Sequence, residues 1–84
     1  MDDALDIQDR ARIVNRIQVR RAELRGDLSE DENRGLIYLS EMVSSNQPRV
    51  TIRDNVDHWK TMGGVNGRVA AIFDQILMEL GIHL

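Results

Sequence analysis

The chain contains no cysteine, one proline (Pro48), one lysine (Lys60), two histidines (His58 and His83) and three aromatic residues (Tyr38, Trp59 and Phe73). Each scarcity excludes something. Without cysteine there is no disulfide framework and no thiolate metal site. Two histidines are too few for a convincing nitrogen-liganded metal centre. No apolar run approaches the ~20 residues needed to cross a bilayer. The opening Met1-Asp2-Asp3 is acidic where a secretory signal is basic, so the expected location is cytoplasmic.

What remains is 84 residues, enough for a single helical domain spanning 1–84 with one core. Hydrophobic residues make up 42% and charged residues 30%, a globular balance. So small a core has a thin stability margin, and with no staple available a partner or a homodimer is expected. The net charge of −3 is unevenly spread. Four Asp precede Arg10, six Arg stand against Glu23 between residues 10 and 25, and residues 26–47 return to a balance of −4.

Hydrophobic periodicity predicts an all-α bundle of four helices, at about 3–25, 29–44, 51–62 and 66–80, with no sheet. In the first, Ala4, Ile7, Ala11, Ile13, Val14, Ile17, Ala22 and Leu24 fall on one half of a helical wheel. Asp2, Asp3 and Asp6 lie near its start and Arg20, Arg21 and Arg25 near its end, as the helix dipole favours. Gly26 suits the residue after its end. Ser29-Glu30-Asp31-Glu32 is a capping box opening the second helix, whose stripe is Leu36, Leu39, Met42 and Val43. Gly35 lies on that stripe and implies close approach of a neighbouring backbone. Thr51 and Asp54 form a second capping-box pattern ahead of Ile52, Val56 and Trp59. Val69, Ile72, Phe73, Ile76 and Leu80 form the fourth stripe, and Gly81 then sets up a Schellman contact from Ile82 to Leu77. Trp59 and Phe73 are expected to be mostly buried.

No motif points to chemistry. Asp54, Asp57 and His58 lack the third ligand and supporting shell of a metal site, and no serine has a histidine at helical spacing. Gly63-Gly64-Val65-Asn66-Gly67 lacks the preceding strand and the following Lys-Ser/Thr of a phosphate-binding loop. Arg20-Arg21-Ala22-Glu23-Leu24 resembles the Arg-bearing first helix of the short all-α chorismate mutases. That family needs a lysine in the segment after this helix, and the only lysine here is Lys60, so the activity does not carry over. The expectation is a protein that is not an enzyme and takes no cofactor or metal.

Binding is the remaining class. Arg12, Arg16 and Arg20 repeat every four residues and are expected as an exposed ridge opposite the core stripe, with Asp9 and Glu23 as the only local counter-charges. Val19, Ile37 and Met78 fall off their stripes, and Tyr38 adjoins Ile37; together they form a candidate contact surface. The expected partner is another protein with an acidic surface, and the expected role is that of a small inhibitor, adaptor or regulatory subunit. Small accessory proteins of phages, including inhibitors of host defence, have this character, although no motif marks the chain as one. The rival is a nucleic-acid-binding regulator using the basic first helix or a helix-turn-helix made from the last two. Trp59 stands where that motif wants a small residue, and Asp74 and Glu79 would face phosphates.

Overall fold

The structure, a computed structural model, describes residues 3–84. Four helices follow one another: α1 (Ile7–Glu23), α2 (Glu30–Ser44), α3 (Arg49–Met62) and α4 (Gly64–Leu80). There is no strand among the described residues; one isolated bridge joins Ala4 to Pro48. The all-α bundle expected from periodicity is therefore what the chain adopts. α4 packs against each of the other three helices, and α1 also packs against α2. The core runs through Ile13, Ile17, Leu36, Leu39, Val43, Ile52, Val56, Val69, Ala70, Phe73 and Ile76.

The boundaries differ from expectation where distant backbone intervenes. α1 starts at Ile7, not Asp3. Asp6 is its N-cap and accepts the Asp9 N–H at 2.8 Å, while Asp3–Leu5 is non-helical. Had the helix begun earlier, Leu5 would stand on the Arg12–Arg16 row; instead it is 2% exposed in the core. Asp2 lies outside the described residues. α3 starts at Arg49, directly after Pro48, so Thr51 is inside the first turn and its expected capping box with Asp54 does not form. The Arg49 N–H, one of the donors a helix start leaves without an internal partner, is satisfied by the carbonyl of Asp3 at 2.8 Å. Backbone from the other end of the chain replaces a side-chain cap. α4 starts at Gly64, with Gly63 alone between it and α3; both glycines have positive φ. α1 ends at Glu23, and Gly26 (φ 95°) sits in the turn beyond it.

Other local signals hold. Ser29 and Glu32 form the reciprocal capping box of α2. The Schellman ending of α4 is complete: Ile82 N–H donates to Leu77 O at 3.0 Å and Gly81 N–H to Met78 O at 3.2 Å, with Gly81 left-handed.

Two packing expectations change. In α1 only Ile13 and Ile17 are fully buried; Ala11 and Ala22 are exposed, and Ile7 is 73% exposed. The wheel merged two apolar rows, of which one is fully buried and the other meets the core only through the half-buried Val14. Phe73 is fully buried, but Trp59 is only partly buried at the edge of the core. At Gly35 the close neighbour is a side chain, not a backbone: a Cβ there would lie 2.9 Å from Val69 Cγ2.

Two outcomes test this packing. Phe73→Ala should cost about 3–5 kcal/mol and Trp59→Ala only about 1–2 kcal/mol in denaturant unfolding. Gly35→Ala gains about 1 kcal/mol of helix propensity but presses on a buried β-branched neighbour that is stiff at χ1 and cannot rotate away. Overpacking of about 1–3 kcal/mol should win, giving net destabilisation. In a double-mutant cycle the Gly35→Ala, Val69→Ala pair should cost less than the sum of its single changes.

Candidate functional site

The Arg12–Arg16–Arg20 row faces the C-terminal end of α4 rather than solvent alone. Arg16 Nη1 lies 3.0 Å from Glu79 Oε1, and Arg20 Nη2 donates to both Glu79 oxygens at 2.7 and 2.8 Å. Arg20 Nε donates to Glu23 at 3.0 Å, and Arg12 Nη1 to Asp9 at 3.1 Å. Arg12 Nη2 also donates to the Leu80 carbonyl at 3.0 Å, one of the acceptors that a helix end leaves without an internal donor. The expectation of a ridge opposite the core is corrected accordingly. The side chain of Arg20 is 19% exposed, whereas those of Arg12 and Arg16 remain 50% and 39% exposed. Glu79, distant in sequence, is the carboxylate that the i, i+3 pattern could not name.

Hydrogen bonds from Arg20, then the charges of Arg20 and Arg16, hold the Glu79 carboxyl below the usual carboxylate range. Glu32 is held low first by the Ser29 backbone N–H that it caps, then by Arg68 at 2.9 Å. Arg68 also donates to the Asp27 carbonyl at 3.0 Å, joining the start of α4 to the α1–α2 turn. Lys60 is paired with Asp74 across α3 and α4, which raises its pKa.

The apolar candidates do not converge on this row. Val19 is 42% exposed on α1, and Met78, 75% exposed, lines an open groove of about 580 Å³ between α3 and α4 with Val56, Leu77, Ile82 and Leu84. Ile37, expected at the surface, is half-buried. Its row on α2, from Asn33 to Ser44, is turned toward α1, since Asn33 accepts from Arg21 and Ser44 lines a hollow with Ile7. Tyr38, 49% exposed, stacks on Trp59 with ring centroids 5.6 Å apart and planes tilted by 31°. Met62, one turn beyond Trp59 and 56% exposed, extends the same edge. Sequence reasoning missed Trp59 and Met62 as surface residues because Trp59 continues the Ile52–Val56 stripe.

The aromatic edge and the Arg row are well separated. Trp59 lies beside Gly67 near the start of α4, and the Arg row meets Glu79 near its end, about 18 Å further along the axis. Among the described residues no three His, Asp or Glu side chains cluster as a metal site would require, and no helix is long and apolar enough to cross a membrane. No protein-family model, curated protein or solved structure matches the chain.

The ion pairs predict an acid transition. Glu79 and Glu32 have depressed folded pKa values, so their contribution is complete above the unfolded carboxylate value of about 4.3 and is lost as pH falls through the lower folded values. Circular-dichroism melts should show a constant Tm from pH 7 to about 5 and a falling Tm below about 4. Glu79→Gln should lower the neutral-pH Tm and flatten that acid limb.

Proposed function

We propose that the chain is a non-catalytic protein-binding module, an inhibitor, adaptor or regulatory subunit, that contacts its partner through the Tyr38–Trp59–Met62 edge. The observation that carries this reading is where the scarce aromatics sit. Of three aromatic residues only Phe73 is fully buried, while Tyr38 and Trp59 stack at the edge of the bundle. Burying Trp59 completely would have added to a thin core. Tyr and Trp are also the residues that supply most binding energy at protein interfaces, presenting large area at low entropy cost. Met62 adds an adaptable apolar neighbour.

Arg12 and Arg16, half-exposed after their internal pairing, supply positive charge toward an acidic partner at the other end of α4. Their role is steering of encounter, with affinity residing at the aromatic edge. The nucleic-acid reading is weaker on the same ground: the arginines of the row are each paired with Asp9, Glu23 or Glu79, and every such carboxylate repels phosphate.

Affinity capture from the source organism's lysate, comparing the parent with Tyr38→Ser and with an Arg12→Glu, Arg16→Glu double variant, tests the assignment. A specific partner should be retained by the parent and lost with Tyr38→Ser. Surface-plasmon kinetics on that partner should show association slowed about tenfold in the double variant at low salt, and much less at high salt. Equal retention by the folded Tyr38→Ser variant would rule out the aromatic edge as the binding surface.

A further inference from the structure

We infer that the hollow beside Tyr38, at the C-terminal end of α2, receives an arginine side chain of the partner. This rests on the aromatic edge being the binding surface and names the chemistry that the edge selects. Tyr38, Glu41, Met42, Ser45 and Gln47 line an open hollow of about 290 Å³. Tyr38, Glu41, Met42 and Ser45 stand three or four residues apart and so share one face at the end of α2. Tyr38 rests on Trp59, which braces its ring at the rim of the hollow.

The choice of occupant rests on charge. Glu41 is exposed, is the one carboxylate lining the hollow, and has no ion-pair partner among the described residues. Its position is unfavourable by itself. It stands in the last turn of α2, where the helix dipole is negative, and no basic residue occupies that turn. The neighbouring cations of the chain are committed elsewhere. Arg34 donates to Glu30 at 2.7 Å, and Arg49 donates to the His83 carbonyl at 2.6 Å while lying beside Asp3. Lys60, adjacent to Trp59 in the chain, pairs with Asp74 across α3 and α4.

A carboxylate, the negative end of a helix and the face of a tyrosine ring all attract a positive charge. A single carboxylate supplies too few ligands for a metal ion, and no metal-binding cluster forms among the described residues. A guanidinium meets all the requirements: it is planar, stacks on an aromatic face and offers two parallel donors to one carboxylate. Met42 gives its methylene stem an apolar wall. Gln47 Nε2 donates to Ser45 Oγ at 3.4 Å, which leaves the Gln47 amide oxygen as a further acceptor. The acidic surface expected against Arg12 and Arg16 belongs to the other end of α4, so the partner presents the two signs of charge in two separate places.

The test is a nuclear magnetic resonance titration of the isotope-labelled full chain with a blocked Gly-Arg-Gly peptide. The same peptide with citrulline, a neutral isostere, in place of arginine is the control. The arginine peptide should shift the amide signals of Tyr38, Glu41, Met42 and Ser45, with the citrulline peptide at least about fivefold weaker. Glu41→Gln should weaken the arginine peptide about two- to fivefold and leave the citrulline peptide unchanged. That variant removes a charge which the helix end disfavours, so its Tm should equal or exceed that of the parent. Tyr38→Leu keeps apolar area but removes the ring, and should also weaken the arginine peptide about two- to fivefold. Equal binding of the two peptides would overturn the assignment, as would shifts scattered over the other carboxylates or unchanged affinity in Glu41→Gln. Should any of these accompany loss of the captured partner in Tyr38→Ser, the aromatic edge stands and the arginine alone is overturned.

Discussion

Burial of α4 is the constraint on which the other elements depend. Val69, Ala70, Phe73 and Ile76 are fully buried, and α4 packs against all three other helices. A chain of this length has no second core to fall back on, so a void at Phe73 removes an amount comparable with the whole stability of a small domain. The same dependence explains Gly35. Val69 needs the space a side chain on α2 would take, so a residue unfavourable in a helix is worth keeping there.

Around that core the charged side chains work largely within the molecule. Glu79 gathers Arg16 and Arg20, Glu32 gathers Arg68, and Asp74 gathers Lys60, each pair tying α4 to a different neighbour. Such pairs contribute modestly when partly exposed. They also consume charge that would otherwise be offered to a partner. The positive row on α1 is consequently narrower than its sequence suggests.

The places where periodicity misled share one cause. A helical wheel reports which residues lie on the same side of a helix, not where its neighbours are. The apolar half of α1 contains two rows, and only Ile13 and Ile17 are fully buried, with Val14 packed against the core from its edge, since α2 and α4 close on that side and leave Ile7, Ala11 and Ala22 outside. Trp59 obeys the stripe of α3 but packs only on the edge of the core, against Tyr38. Ile37 is the reverse case, off its stripe and yet half-covered because its row is turned toward α1.

By itself the sequence determined what depends on neighbours along the chain: four helices, the Ser29–Glu32 box, the turn at Gly26, the stop at Gly81 and the absence of a strand among the described residues. These follow from backbone hydrogen bonding and side-chain reach within one or two turns. Tertiary structure decided everything that requires two segments to meet. Asp3 caps α3 in place of Thr51, Leu5 leaves the helix for the core, Glu79 claims the arginine row, and Tyr38 finds Trp59. No local pattern encodes those partners, because each depends on the angle and register at which whole helices pack.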